Sequence, residues 1–288
     1  MKVALITVPF DSGHLHERMG AGPQRLIEGG LRKRFSAAGA ETSLTPVLPE
    51  SGFPTEIETA FELHRLTGGA VRAALEAGAF PLVLAGNCNI SAMGGLTGIG
   101  AAHPSLVWFD GHADFTTPET AETGFLDGMG LAMATGRCWR PMTRALEGFR
   151  PVADRNTVLA GAHDIEMEEG KELRRSGIAH FPPEALRRKN DAFRAHLEEI
   201  AGHTDATYLH IDLDVCEPSI ARANHLAPPG GITPGELKEA ARTVIETLPV
   251  AAMGFSAYDP SCDPEGVMLA AAIDLAAALV AAMPDRTR

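Results

Sequence analysis

The stretch that decides the fold is Leu106-Val107-Trp108-Phe109-Asp110-Gly111-His112-Ala113-Asp114, an apolar run that leads into alternating polar side chains. A later stretch repeats the pattern as Tyr208-Leu209-His210-Ile211-Asp212-Leu213-Asp214. The apolar runs predict buried strands, and carboxylates two residues apart beyond a strand end can turn toward one point. Carboxylates with an added imidazole suit divalent Mn, Fe, Zn or Ni rather than Ca. A single aspartate after a strand is usually a turn or capping residue, but this repeated cluster favours a metal site.

Short apolar runs alternate with longer helical patterns along the rest of the chain. The candidate strands are Val3–Val8, Thr42–Val47, Pro81–Ala85, Leu106–Phe109, Thr157–Gly161, Ile178–Phe181, Thr207–Ile211 and Val250–Ser256. The candidate helices are Pro23–Phe35, Glu56–Glu76, Ser91–Gly98, Gly128–Thr135, Glu168–Ser176, Asp191–Ile200, Pro234–Thr247 and Glu265–Met283. This alternation predicts an α/β protein, a three-layer αβα sandwich around a mostly parallel sheet of about eight strands.

Four of the candidate strands end in polar or reactive residues. Besides the two aspartate clusters, Gly86-Asn87-Cys88-Asn89 follows one strand and Ala257-Tyr258-Asp259-Pro260 follows the last. Ligands of open parallel sheets bind at the carboxyl ends of the strands. We therefore predict that these four segments converge on one active site.

Charge and composition exclude several classes of partner. The chain has 288 residues and a net charge of −12, which argues against binding to nucleic acid or to an anionic membrane. The apolar run Val267 to Met283 contains Asp274 and predicts a buried helix rather than a membrane span. The cysteines lack a paired spacing, which is typical of free thiols in a reducing cytosol. We expect a cytoplasmic protein with a small-molecule substrate; whether it forms a homo-oligomer stays open.

The sequence also resembles the arginase–agmatinase (ureohydrolase) superfamily along nearly its whole length. The resemblance rests on the hallmark runs Asp110–Pro118 and Asp212–Pro218 and on the Gly230-Gly231-Ile232-Thr233 stretch. It implies one ureohydrolase-like domain over residues 1–288 with the arginase fold. It also implies two divalent metal ions, usually manganese, which activate water for attack on an amidine or guanidine carbon. The ligands that it implies are Asp110 and Asp212 as bridging residues, with Asp114, His112 and Asp214.

Cys88 is the first departure from the family pattern. The family's first ligand motif reads Gly-Gly-Asp-His, whereas this chain reads Ala85-Gly86-Asn87-Cys88. A thiolate is a competent ligand, and its softness would shift preference from Mn toward Zn, Fe or Ni. The alternative is a small buried cysteine that packs beneath the metals and leaves one site weakened.

The proton-transfer residues also depart from the family. Asp114 is placed to accept the proton of the attacking water. The family carries a proton-shuttling histidine where this chain has Asp127, which could transfer protons itself or cap the predicted helix Gly128–Thr135. His225, on a loop expected to return over the metals, is either a replacement shuttle or a solvent-facing residue.

The substrate-binding positions differ most. The family positions that hold the α-carboxylate of arginine match Thr116, Thr123 and Phe125, so one contact is lost. The position that meets the α-amino group matches Glu166, which keeps its negative charge. We expect an amino-bearing substrate that is held differently from arginine.

The residue that should hold the guanidinium is missing. The family's glutamate matches Ala257, and the hydroxyl of the neighbouring Tyr258 could replace its contact. Within the family, Cys88 and the run from Asp110 to Thr120 are similar to an amidinohydrolase that acts on N-hydroxyarginine, although that relative keeps the glutamate. We predict a binuclear hydrolase of an amidine-type C–N bond, with an N-hydroxyguanidino or formimidoyl substrate. The alternatives are a catalytically altered regulatory relative or a different hydrolase, such as a deacylase, on the same fold.

Overall fold

A parallel β-sheet forms the centre of the computed structural model, which describes residues 1–52, 55–187 and 191–283. Its eight strands, in the described part of the chain, run in the order β4-β1-β5-β10-β9-β6-β7-β8, and every neighbouring pair is parallel. The strands are β1 (Lys2–Val8), β4 (Glu41–Pro46), β5 (Phe80–Ala85), β6 (Pro104–Phe109), β7 (Thr157–Ala160), β8 (Ala179–Phe181), β9 (Ala206–Asp212) and β10 (Val250–Ser256). A hairpin of β2 (Phe10–Asp11) and β3 (His14–Leu15) stands apart from this sheet.

Helices cover both faces of the sheet, which confirms the predicted αβα sandwich. The helices are α1 (Gly22–Glu28), α2 (Leu31–Ala37), α3 (Glu56–Glu76), α4 (Cys88–Ile99), α5 (Gly130–Ala134), α6 (Arg140–Arg144), α7 (Met167–Ser176), α8 (Pro183–Arg187), α9 (Asp191–Ala201), α10 (Pro234–Thr247) and α11 (Val267–Ala282). Successive residues of a strand point to opposite faces, so Leu82 and Leu84 join the core under α10 and α11, whereas Val83 joins the core under α3 and α4.

Two predicted helices differ from those in the structure. The predicted helix Pro23–Phe35 is two helices, because Gly29 and Gly30 interrupt it and Gly30 takes a left-handed conformation with φ of 102°. The predicted helix Gly128–Thr135 is a 3-10 turn over Asp127–Met129 followed by α5. The helix therefore starts two residues later than predicted, and Asp127 contacts α4 instead of capping it.

The strand order brings the four polar strand ends side by side. Strands β5, β10, β9 and β6 are consecutive neighbours in the sheet, and the candidate residues follow the carboxyl end of each. The predicted convergence on one edge of the sheet is therefore confirmed. None of the described helices is long and apolar enough to cross a bilayer.

Candidate metal centre

Asp110, His112 and Asp214 form a compact group above strands β6 and β9. Nδ1 of His112 lies 3.4 Å from Oδ1 of Asp110 and 3.4 Å from Oδ2 of Asp214. The backbone amide of His112 donates to Oδ1 of Asp110 at 2.7 Å, and that of Gly111 donates to Oδ1 of Asp214 at 3.2 Å. Asn224, which the sequence did not single out, donates to Oδ2 of Asp214 at 3.2 Å. These contacts fix both carboxylates around one imidazole.

Asp212 and Cys88 lie on the other side of this group. The thiol of Cys88 donates to Oδ2 of Asp212 at 2.8 Å and lies 3.1 Å from Oγ of Ser256. Oδ1 of Asp212 accepts the backbone N–H of Asp214 at 2.7 Å. Cys88 is 1% exposed, so its sulfur faces the carboxylates rather than solvent. Cys88 therefore lies beside the carboxylates of the cluster, and its role as a ligand stays a prediction.

Burial and mutual repulsion make it unfavourable for all the carboxylates of the cluster to be ionised at once. Burial and then the neighbouring carboxylates raise the pKa of Asp212 well above its usual range, and burial and Asp214 raise that of Asp110 to about 6. Burial opposes the charged form of His112, but Asp214 and Asp110 raise its pKa above the usual value. Burial likewise opposes ionisation of Asp214, yet His112 lowers its pKa to about 2.

A bound metal ion would offset the repulsion among these buried carboxylates. Bound dications stabilise clustered carboxylates and thiolates in their charged forms. The donor set of oxygen, nitrogen and sulfur atoms matches divalent transition metals. Trp108 supports the set, because its ring N–H donates to Oδ2 of Asp110 at 2.8 Å and orients that carboxylate. The residues therefore fit a metal centre.

Asp114 stands between this cluster and an open cleft. Its backbone is left-handed, with φ of 48°, a conformation that aspartate tolerates better than most residues. Together with His112 it lines a cavity of about 340 Å³. Burial, followed by the charges of Asp110 and Asp127, raises the pKa of Asp114 well above its usual range. A carboxyl group with a raised pKa at the wall of a cleft can both accept and return a proton.

The predicted substrate-binding residues surround the same cavity. Thr116, Thr123 and Glu166 all line it. Oγ of Thr116 is already committed, since it donates to the carbonyl of Gly128 at 2.7 Å. Glu166 directly precedes helix α7, and its backbone N–H donates to Oε2 of Glu169 at 3.2 Å, which places the residue at the rim. The structure therefore brings the three residues to one cleft, as predicted.

The side chain of Asp127 contacts the N-terminus of α4, so the alternative that it caps the following helix is wrong. Oδ2 accepts from Nδ2 of Asn87 at 2.8 Å and from the backbone N–H of Cys88 at 3.1 Å. Oδ1 accepts from the backbone and side-chain N–H groups of Asn89, both at 2.8 Å. Burial raises the pKa of Asp127, whereas these hydrogen bonds lower it. Donors on both oxygens favour a fixed anion that positions Cys88.

Replacing Asp127 by asparagine is expected to lower the free energy of unfolding by about 1.5–3 kcal/mol. The NH2 group of asparagine would replace one carboxylate oxygen, and it would then face N–H donors instead of accepting from them. Urea denaturation measures this loss. Asp205→Asn is the matched control, since Asp205 accepts backbone N–H groups of Ala102 and His103 at an exposed position where water can replace them. Equal losses in the two variants would contradict a special role for Asp127. A large fall in kcat at unchanged stability would instead indicate proton transfer.

Two other predicted residues lie outside the ligand cluster. The hydroxyl of Tyr258 donates to Asp263 at 2.9 Å, and the side chain is buried in the core beneath α11. Tyr258 therefore does not replace the missing glutamate contact, because its hydroxyl is bound elsewhere. His225 is exposed and lines a second, larger cavity beside the first, together with Arg18 and Glu56. Its role as a proton shuttle stays a prediction.

Sequence reasoning overlooked the imidazole of His210. Its ligand nitrogen, Sγ of Cys88 and a carboxylate oxygen of Asp110 all lie within 4.8 Å of one another. A second group of the same kind contains Asp110, His112 and Asp214, so Asp110 belongs to both. The available signal was a histidine two residues before Asp212 in an otherwise apolar strand.

Two adjoining groups of possible metal ligands lie at the carboxyl edge of the parallel sheet, an arrangement typical of hydrolases with two metal ions. The sequence model of the Arginase family matches residues 1–282 of the chain. The chain therefore belongs to the arginase family, whose members are hydrolases of C–N bonds in amidines and guanidines and use two metal ions, commonly manganese.

Individual relatives agree with this assignment. The arginase of Bacillus caldovelox is 26% identical over 96% of this chain and 97% of its own. The N(omega)-hydroxy-L-arginine amidinohydrolase of Streptomyces lavendulae is 34% identical, over 56% of this chain and 53% of its own. The crystal structure of the arginase from Bacillus subtilis superimposes with a TM-score of 0.86 at 24% identity, covering 97% of this chain and 98% of that one. The last match shows the shared fold.

Proposed function

We propose that this chain is a binuclear metal-dependent amidinohydrolase whose substrate is less basic than arginine. The observation that carries the proposal is the contact between His112, Asp110 and Asp214 beside a cavity that Asp114 lines. The side chains proposed to hold the two ions are Cys88, Asp110, His112, Asp114, Asp212 and Asp214. Manganese is the family's common metal, and the thiol of Cys88 favours Zn, Fe or Ni as alternatives.

When bound, two divalent ions supply Lewis acidity and lower the pKa of water toward neutrality. Asp114 then accepts a proton from the attacking water, whose oxygen bonds to the amidine carbon. The C–N bond breaks, and Asp114 returns the proton to the departing amine. The position of Asp114 suits both transfers, because it lines the cleft beside the ligand residue His112.

The cleft residues are proposed to orient the substrate. The carboxylate of Glu166 faces a substrate amino group, and Thr116 and Thr123 contact polar atoms across the cavity. Water must be excluded for these contacts to be strong, and Phe125 and Leu226 supply apolar surface to the same cavity. A small amino-bearing compound fits this cavity, because it is lined by hydroxyl groups and by the carboxylates of Asp114, Glu122, Asp164, Glu166 and Glu169.

The guanidinium anchor of the family is absent. Ala257, which matches the family's glutamate, is 2% exposed and takes a left-handed backbone with φ of 61°. A neutral amidine-like group, as in an N-hydroxyguanidino or formimidoyl compound, needs no carboxylate at that position. The similarity to an amidinohydrolase named for N-hydroxy-L-arginine supports this choice of substrate class.

The full chain, reconstituted with Mn²⁺, Zn²⁺ or Ni²⁺, is expected to contain close to two ions after dialysis, because two ligand groups meet at Asp110. Elemental analysis measures the content. Removing the ions with a chelator should lower the melting temperature, since the clustered carboxylates would again repel one another. Hydrolysis should be assayed on a panel of guanidines, N-hydroxyguanidines and formimidoyl compounds.

The same measurements separate the proposal from its alternative, a metal-binding relative without activity. Two bound ions with no turnover of any amidine in the panel would favour the alternative. A metal content near zero, with a melting temperature that chelators leave unchanged, would reject the metal centre altogether.

A further inference from the structure

An imidazole lies directly beneath the proposed metal centre. His210 is on strand β9, two residues before Asp212, so both side chains point to the same face of the sheet. It is 0% exposed, and its ring stacks against Trp108 with ring centroids 4.0 Å apart. Nδ1 of this ring is buried, and no residue that the structure describes forms a hydrogen bond with it. A buried polar atom without a partner costs free energy, so a role for this ring is expected.

Two contacts through Ser256 connect His210 to Cys88. Nε2 of His210 lies 3.4 Å from Oγ of Ser256, and that oxygen lies 3.1 Å from Sγ of Cys88. Ser256 thus lies between the imidazole and the thiol at the end of strand β10. Asp110 is the third member of this group. A carboxylate oxygen of Asp110 and the ligand atoms of Cys88 and His210 all lie within 4.8 Å of one another.

The chemistry of this trio is that of a metal site. Thiolate, imidazole and carboxylate are ligands of Zn²⁺ and related ions, and a metal binds the neutral form of imidazole. The trio and the group of Asp110, His112 and Asp214 share only Asp110, which would then contact both ions.

We propose that His210 is a metal ligand and that, with Cys88 and Asp110, it holds the second ion of the centre. The proposal rests on the metal-dependent function proposed above. It explains how the chain keeps two imidazoles although Cys88 occupies the position of the family's first histidine. The imidazole approaches from strand β9, which β10 separates from β5, and the small thiol leaves it room. A sulfur and a nitrogen donor on one ion favour Zn²⁺ or Cd²⁺ over Mn²⁺.

Cadmium NMR on the full chain loaded with Cd²⁺ tests the assignment directly. Two bound ions should show scalar couplings to the ring protons of two histidines, His112 and His210. In His210→Gln one coupling should disappear, and competition with a chelator should show that one Cd²⁺ binds about 10- to 100-fold more weakly. His64→Gln is the matched control, because His64 is also fully buried with an unpartnered Nδ1 but bonds to Asn89. It should keep both couplings and both affinities.

The possible outcomes separate the role of His210 as a ligand from the metal-dependent function on which that role rests. Two bound ions with coupling to one imidazole, or both couplings kept in His210→Gln, would overturn the role of His210 and leave the proposed function intact. Failure of the wild-type chain to bind Cd²⁺ or Zn²⁺ would reject both. If His210→Gln does not fold, the wild-type spectrum still decides, because it reports how many imidazoles bind.

Discussion

Replacement of Asp114 by asparagine is expected to reduce kcat by about 100- to 10,000-fold, the usual contribution of a general acid–base group. An amide cannot accept the proton of the attacking water or return it to the amine. Asparagine retains the size of aspartate and tolerates the left-handed backbone with φ of 48°. The variant should therefore fold normally. Steady-state kinetics on the best substrate of the panel measures the loss, and elemental analysis reports whether both ions remain.

Asp164→Asn is the control for this variant. Asp164 lines the same cavity as Asp114 but is not among the residues proposed to hold the ions or to transfer protons. Its replacement should change kcat by no more than a few fold. The role of Asp114 would be contradicted if both variants retained most of the wild-type rate. A loss of one ion from Asp114→Asn would show that the residue acts as a ligand as well.

Arginine is expected to be hydrolysed about 10- to 100-fold less efficiently than an N-hydroxyguanidino or formimidoyl substrate, which corresponds to one lost charge-assisted hydrogen bond of about 1.5–3 kcal/mol. The protonated guanidinium of arginine lacks a carboxylate partner at Ala257. Introducing one as Ala257→Glu should raise kcat/KM for arginine relative to the less basic substrates. Values of kcat/KM for the three substrate types give the preference.

Ala257→Gln is the matched control, because it adds nearly the same volume without the charge. Both variants place a long side chain at a position that is 2% exposed, so both should lose stability to a similar extent. Only the glutamate variant should shift preference toward ordinary guanidines. Efficient arginase activity of the wild-type chain, or equal shifts in the two variants, would contradict this explanation of specificity.

The departures from the family pattern are neighbours in space. The backbone N–H of Cys88 donates to Asp127, and that of Ala257 donates to the carbonyl of Gly86 at 3.0 Å. Residues that differ from the family therefore surround the start of helix α4 together. A change in one of them alters the packing of the others, so we expect metal preference and substrate preference to be coupled in this chain.

The sequence by itself determined the fold class and most of the site. Alternating apolar runs and helical patterns are local signals, and they predicted each strand of the main sheet to within about two residues. The carboxyl ends of parallel strands share one edge, so Asp110, His112, Asp212 and Asp214 could be placed together before any distance was known. The polar pair Thr233 and Glu236 similarly marks the start of α10 through local hydrogen bonds.

Only the tertiary structure decided which residues meet across the sheet. Strand β10 lies between β5 and β9, and this order brings Ser256 and His210 to Cys88. The same long-range packing draws Asp127 to the N-terminus of α4 and commits Tyr258 to Asp263. Such contacts join residues far apart in the chain. They depend on how whole layers pack, and no periodicity within one segment encodes them.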